Sequence, residues 1–130
     1  MTKLTRFEDL ECWQQARELT QLVYKATNRS KFRRDLRLSG QIQAAAGSCM
    51  ANIAEGFIRR SDKEFIQFLF IAMASAAEVQ SHLYIALDQA YIDQNQFDEI
   101  YNQADKTAKI ISGLIKYLRT KHTKPTRQTR

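Results

Sequence analysis

Apolar residues recur along most of the chain at alternating spacings of four and three residues, which is the period of a helix that buries one face. In the first such segment, 8–27, the predicted buried stripe consists of Cys12, Ala16, Leu19, Val23 and Ala26. The same spacing predicts further helices over 30–59, 62–90 and 93–119. Amphipathic helices with short connections pack as an up-down-up-down antiparallel four-helix bundle, so we predict an all-α fold.

Three of these helices begin at residues that favour a helix start. Ser61 is followed three residues later by Glu64, just before an apolar run, which is the pattern of a capping box. Asp93 and Gln96 give the same signal for the last helix. Ser30 is the predicted N-cap of the second helix, which we expect to continue without a break to the end of its apolar segment.

The second predicted helix carries two apolar stripes on opposite sides. The stripe from Leu38 to Ile53 has the character of a core face, whereas the other consists of small residues: Gly40, Ala44, Gly47, Ala51 and Ala54. A glycine inside a helix costs about 1 kcal/mol relative to alanine, so the small stripe indicates that another helix backbone approaches closely. The alternative is an exposed face that tolerates small residues.

The third predicted helix is also apolar on more than one side, because Phe70, Met73, Ala77 and Tyr84 lie beside its core stripe. In an isolated four-helix domain, each helix is expected to present one face to water. We therefore predict a homo-oligomer. Its interface is predicted to contain Gly40, Ala44, Gly47, Ala51, Phe70, Met73 and Tyr84.

The composition is that of one helical domain, with 130 residues, four glycines and one proline. No apolar run follows the first residues, so we predict no signal peptide. The charge-free stretches 38–54 and 65–77 are shorter than the about 20 residues that span a bilayer. We expect a cytoplasmic protein that does not enter a membrane. In it, Cys12 and Cys49 are predicted to be buried reduced thiols, although a disulfide is possible on their number alone.

Positive charge is unevenly distributed in the sequence. The net charge is +6, yet 64–105 contains seven acids and no Lys or Arg, whereas 106–130 contains eight Lys or Arg and no acid. The antiparallel topology gathers cations at one end, here called the basic pole: Arg59, Arg60, Lys63, Lys116, Arg119 and Lys121. We predict that the basic pole binds nucleic acid. A solubilising surface with cations matched to helix dipoles is the alternative.

The last ten residues, 121–130, are basic and have no apolar anchor, so we predict a disordered tail there and a bundle over 1–120. Attachment of this tail to anionic lipid is a weaker alternative use of its charge.

Few residues suggest chemistry. Glu78 and His82 are one helical turn apart, but a di-metal site in a bundle needs a second such pair and two further Glu, so a solvated or interfacial pair is favoured. Asn52 and Glu55 could contact RNA or another subunit, although a structural role is favoured. In that role, Glu55 is predicted to form an ion pair with Arg59, four residues later. Gly56 would allow tight packing at the same place. No catalytic, cofactor-binding or metal-binding residues are predicted, so an enzyme is not expected.

Two motifs resemble a known family. The opening FEDLECWQQAR at 7–17 is similar to the pattern FEDLxxWQxAR, and NIAEGFIRRSDKEF at 52–65 is similar to NIAEGxxRxSxKEF. Both patterns are typical of four-helix-bundle proteins related to the intervening-sequence proteins encoded within some bacterial 23S ribosomal RNA genes. The likeness covers about 7–118. The prolines that the family often has in its first helix connection and before the Asn are absent here, so the geometry of that connection is not carried over.

The resemblance implies a ring of subunits, a pentamer. Relatives of the same architecture serve as accessory variability determinants of diversity-generating retroelements, in which a basic pentamer binds the reverse transcriptase and nucleic acid. We therefore expect a non-enzymatic homo-oligomer that contacts phosphates of RNA or single-stranded nucleic acid as an accessory or scaffold. The alternative is a protein-interaction hub, for instance for a reverse transcriptase, in which the basic pole meets an acidic protein surface.

Overall fold

The structure is a computed structural model that describes the backbone of residues 4–128 and the side chains of residues 4–121. Throughout that part the chain is helical and contains no strand. A single-turn 3₁₀ helix at Phe7–Asp9 is followed by α1 (Glu11–Thr27), α2 (Ser30–Arg34), α3 (Leu36–Phe57), α4 (Asp62–Asp88) and α5 (Gln94–Gln128). The all-α prediction is confirmed.

The four long helices contact one another in a cycle, in which α1 lies against α3 and α5, and α4 lies against the same two helices. Neighbouring helices run antiparallel, as hydrogen bonds between α1 and α3 illustrate. Thr20 Oγ1 donates to the carbonyl of Ala46 at 3.2 Å, and Gln43 Nε2 donates to Thr27 Oγ1 at 2.9 Å. This is the arrangement of a four-helix bundle.

The core consists of two clusters of buried side chains, one toward each end of the bundle. Both clusters receive residues from all four long helices. The stripe predicted for the first helix is confirmed, because all five of its residues are at most 5% exposed. The spacing of four and three therefore identified the core face correctly.

The second helix was predicted as one unbroken segment, and this is wrong. The chain leaves the helical conformation at Asp35, where φ is −81° and ψ is 82°, and this residue separates α2 from α3. The Oδ1 atom of Asp35 accepts a hydrogen bond from the backbone N–H of Leu38 at 3.1 Å, so it caps α3 as a new helix. The break also lets Phe32, on the short α2, become fully buried.

Two of the three predicted helix starts are confirmed, and one is wrong. The Ser61 hydroxyl accepts the N–H of Glu64 at 3.2 Å, which confirms this helix start with one of the two bonds of a capping box. At the last helix both bonds are present: the Asp93 carboxylate accepts the N–H of Gln96 at 2.8 Å, and the backbone N–H of Asp93 donates to Gln96 Oε1 at 2.9 Å. Ser30 is not an N-cap. It is the first residue of α2, and the N-cap position is held by Arg29, whose side chain makes no capping bond.

The last helix, α5, ends at Gln128, beyond residue 120, where the bundle was predicted to end. The last two residues of the predicted tail, 129 and 130, lie outside the described residues, as do the side chains from 122 onward. The disordered tail therefore stays a prediction.

By length and composition alone, one helix of the described chain could cross a membrane. This is α4, whose most apolar window has a mean hydropathy of 1.2 and is 33% buried within the bundle. A core helix of a soluble protein meets the same criteria, so the finding is weak evidence for a membrane span.

Candidate nucleic-acid interface

The basic pole is built around the close approach of α3 to α4. Gly56, near the end of α3, is buried, and a Cβ added to it would lie 2.7 Å from the Cβ of Phe68 and 2.9 Å from Cδ1 of Phe65. Only glycine fits this contact without displacement of α4. The tight packing predicted for this residue is confirmed, and it fixes the connection that carries Arg59 and Arg60 and the start of α4, which carries Lys63.

All six residues of the basic pole are exposed, and they lie in the connection between α3 and α4, in the first turn of α4 and in the C-terminal part of α5. The side chains of Lys121 and Asp62 join α5 to the start of α4, because Nζ and Oδ2 are 3.3 Å apart. The antiparallel topology thus brings the three groups of cations to one end of the bundle, as predicted. Their role in binding nucleic acid stays a prediction.

The cations of the basic pole differ in their partners. Arg59 forms an ion pair with Glu55, in which Nη2 and Oε2 are 2.9 Å apart, as its spacing predicted. Within the described part of the chain, Arg60, Lys63 and Lys116 form no ion pair with a carboxylate. Exposed ion pairs contribute little free energy. Even the paired cations can therefore be released to a stronger anion such as a phosphate.

Two arginines of the basic pole lie over aromatic rings. The Cζ atom of Arg59 is 4.6 Å from the ring centroid of Phe68, and that of Arg119 is 5.3 Å from the ring centroid of Phe70. Such cation–π contacts attract a guanidinium to the face of an aromatic ring and restrict where it lies. Neither contact could be predicted from the sequence, because each depends on how α4 is rotated against its neighbours.

A surface groove of about 260 Å³ lies between α4 and α5 beside the basic pole. Its lining combines apolar, hydroxyl and cationic side chains: Phe70, Met73, Ser112, Ile115, Lys116, Arg119 and Thr120. The groove therefore brings together residues that the sequence assigned to two different surfaces. Phe70 and Met73 were predicted for the oligomer interface, whereas Lys116 and Arg119 were predicted to bind nucleic acid.

The small stripe of α3 lies opposite its core face, as predicted. Gly40, Ala44 and Ala51 are exposed, Gly47 is half-buried, and no atom lies within 4 Å of a Cβ built on either glycine. The helix that was expected to approach this stripe is thus not one of the described helices of the same chain. At its two ends the stripe is flanked by Leu36 and Ile58, which are 78% and 73% exposed.

The relationship to known proteins agrees with the sequence motifs. The family model described as 23S rRNA-intervening sequence protein matches residues 8–113, which is most of the chain. The chain belongs to this family. The predicted resemblance is confirmed.

A solved structure shares the fold of this intervening-sequence protein. It is a protein of unknown function from the S23 ribosomal protein family of Bacteroides thetaiotaomicron, with a TM-score of 0.74 and 25% sequence identity. The similarity covers 81% of this chain and 98% of that chain. No curated protein matches the chain.

The other candidate residues of this intervening-sequence protein make local contacts. Asn52 Nδ2 donates to the carbonyl and to the hydroxyl of Ser48 at 2.8 and 3.0 Å, and that hydroxyl accepts a bond from Ser75 of α4 at 3.0 Å.

His82 Nε2 lies 3.3 Å from a Glu78 oxygen, as the spacing predicted. Among the described residues no group of three or more potential ligands could hold a metal ion.

Both cysteines are buried free thiols, as predicted. Burial raises the pKa of Cys12 to about 11 and that of Cys49 to about 12, because a thiolate loses its hydration there. These thiols are accordingly poor nucleophiles at neutral pH.

One pair of residues was missed by the sequence analysis. Tyr91, in the connection between α4 and α5, donates its hydroxyl to Asp35 Oδ2 at 3.0 Å and stacks on Phe32 with ring centroids 5.4 Å apart. The hydrogen bond to Asp35 raises the pKa of Tyr91 above its ordinary value of 10.0. The available signal was Asp35 itself, a good capping residue that is the lone acid in a basic segment.

Proposed function

We propose that this protein is a non-enzymatic, cytoplasmic homo-oligomer that binds RNA or single-stranded nucleic acid through the basic pole. It would act as an accessory or scaffold protein in a ribonucleoprotein. The observation that carries the proposal is the convergence of six exposed cations from α4, α5 and the connection between α3 and α4; three of these cations lack a carboxylate partner among the described residues. Such a surface attracts a polyanion.

The placement of these cations favours contacts with phosphates over reading of bases in a duplex groove. Arg59, Arg60 and Lys63 come from the connection between α3 and α4 and from the first turn of α4, so they do not form a row along one exposed helix face of the kind that lies in a major groove. Phosphate contacts give affinity that depends on salt and carries little sequence information. We therefore expect weak sequence preference.

Self-association would follow from two unlike apolar surfaces. The small stripe of α3 contains Gly40 and Gly47, which leave open space, whereas α4 exposes three large side chains by 46–52%: Ile71, Tyr84 and Ile85. Small residues on one copy can receive large residues of the next. We propose this head-to-tail contact, which is heterologous and therefore forms a ring if the rotation closes.

The geometry of the bundle bears on the size of such a ring. Because α3 and α4 are neighbours in the cycle of helices, their outward faces lie about a quarter turn apart, which suits a closed ring of about four or five copies. This supports the pentamer implied by the family resemblance. The bundle axes of a ring run in the same direction, so all basic poles would point to one side and raise the avidity for a strand.

Salt titration tests the nucleic-acid proposal. Binding of a fluorescent single strand is measured between 50 and about 300 mM salt; if about five phosphates are neutralised, log affinity falls with log salt at a slope of about −3.5. Replacing Arg60, Lys63 and Lys116 together by Gln should make the slope shallower by about 2, because each phosphate contributes about 0.7.

The chain offers a matched control at the opposite end of the bundle. Replacing Arg33, Arg34 and Arg37 by Gln removes the same charge from exposed positions. This control variant should keep the original slope, whereas equal slopes for both triple variants would refute a specific role for the basic pole. Capture of an acidic protein such as a reverse transcriptase that survives nuclease treatment, without any salt-dependent strand binding, would favour the interaction-hub function instead.

A further inference from the structure

We propose that the groove between α4 and α5 binds a nucleobase, with the ring of Phe70 as the stacking surface and with Arg119 and Lys116 beside it. The inference rests on the proposed function and deepens it. It assigns the ligand as an unpaired base of a single strand, and it predicts that the protein prefers single strands to duplexes.

The exposure of Phe70 is the first observation. Its side chain is 44% exposed, whereas Phe32, Phe65 and Phe97 are at most 8% exposed. Leaving a phenyl ring in water forgoes part of the roughly 1.5–3 kcal/mol that burial of a large apolar side chain provides. Single exposed apolar residues are common, so exposure alone assigns no role.

The surroundings of Phe70 supply the second observation. The Arg119 guanidinium lies over the ring, 5.3 Å from its centroid, and Lys116 lines the same groove. An aromatic ring beside cations is the combination by which proteins hold single-stranded nucleic acid: the base stacks on the ring or on the guanidinium plane, and the cations neutralise the adjacent phosphates. Thr120, which also lines the groove, adds a hydroxyl oxygen that can accept a hydrogen bond from a base.

The shape of the groove limits the ligand to a single strand. At about 260 Å³ it has room for one planar group but not for the edge of a double helix. A base in a duplex is stacked and paired on both sides, so it could enter only if it were first extruded, which costs a few kcal/mol. Single strands present their bases without that cost.

The charge of the groove argues against the other occupant, a second copy of this chain. Lysine is depleted at the interfaces between proteins. Lys116 lines the Phe70 groove, whereas the α3 stripe from Gly40 to Ala51 contains no charged residue. We therefore assign the α3 stripe to self-association and Phe70 to nucleic acid.

The test compares two strands that differ only in their bases. Affinities of the full-length protein are measured for a fluorescent oligothymidylate and for an abasic strand of the same length, which keeps every phosphate. The wild type should bind oligothymidylate more tightly than the abasic strand. Phe70→Ala should lower the affinity for oligothymidylate by about 5- to 150-fold, the contribution of one stacked base, and should leave the affinity for the abasic strand and the salt slope unchanged.

Two further variants make the comparison specific. Phe70→Trp should retain the preference for bases, because an indole stacks at least as well as a phenyl ring. Tyr24→Ala removes an exposed aromatic ring of α1 that does not line the groove and should behave as the wild type toward both strands. Circular dichroism of each variant verifies that the helix content is the same.

Equal binding of the two strands by the wild type, or an equal loss for both strands in Phe70→Ala, would overturn the assignment. In either case a salt slope that depends on the basic pole would leave the proposed function standing. A smaller particle mass of Phe70→Ala by light scattering, with the preference for bases unchanged, would instead place Phe70 in the contact between copies and would also overturn the assignment.

Discussion

The glycine at the connection of α3 and α4 allows a quantitative prediction. In Gly56→Ala, the new methyl group would lie 2.7 Å from Phe68 Cβ and 3.3 Å from the carbonyl oxygen of Phe65, distances that require the start of α4 to move. Overpacking of this kind typically costs about 1–3 kcal/mol. The helix preference of alanine offsets at most about 1 kcal/mol of that cost. We therefore expect a net loss of about 1–2 kcal/mol in the free energy of unfolding.

Thermal unfolding followed by circular dichroism at a fixed protein concentration measures this effect. For a chain of this length, the loss corresponds to a fall in Tm of roughly 3–10 °C. Gly113→Ala is the matched control, because the same change is made in α5 where no atom lies within 4 Å of the added methyl group, and it should raise the stability by up to about 1 kcal/mol. A Gly56→Ala protein as stable as the Gly113→Ala protein would refute the steric argument.

Three further predictions concern other parts of the bundle. The pKa of Tyr91 is raised in the folded state by its bond to Asp35, so the stability that this bond contributes is present below pH 10 and is lost as pH rises through the folded pKa. In Tyr91→Phe, the free energy of unfolding should therefore change less between pH 9 and 11 than it does in the wild type. Both buried thiols should react with a thiol reagent at pH 8 only after addition of urea, and rapid reaction of the native protein would contradict their burial. Ala44→Glu and Gly47→Leu should give smaller particles by light scattering with unchanged helix content, whereas Gly113→Leu should leave the particle mass unaltered.

The sequence predicted most of the fold because helix periodicity is a local property. The spacing of apolar residues identified the core stripe of α1, and the pairs Ser61 with Glu64 and Asp93 with Gln96 located two helix starts. The break at Asp35 was not predicted, because its cause includes a partner 56 positions further along the chain, Tyr91. Patterns over a few neighbouring residues cannot predict such a long-range contact.

The candidate site was predictable in its position but not in its detail. Antiparallel connectivity was enough to gather the cations of the basic pole, because helix ends meet at the ends of a bundle. The contact of Arg119 with Phe70 depends on the rotation of α4 about its own axis. That rotation could not be deduced from a helix that is apolar on more than one side, so the sequence analysis grouped Phe70 with the interface residues.

The hydroxyl of Tyr91 bound to Asp35 links two connections at one end of the molecule, whereas at the other end the ion pair of Lys121 and Asp62, whose lysine is exposed, links α5 to α4. Salt screens this pair of full charges more than the half-buried hydrogen bond of the neutral Tyr91 hydroxyl. Backbone amides should therefore exchange with deuterium sooner at the cationic end as ionic strength rises. A strand bound to the basic pole should then slow deuterium uptake most at that end of the bundle, where the free protein opens most readily.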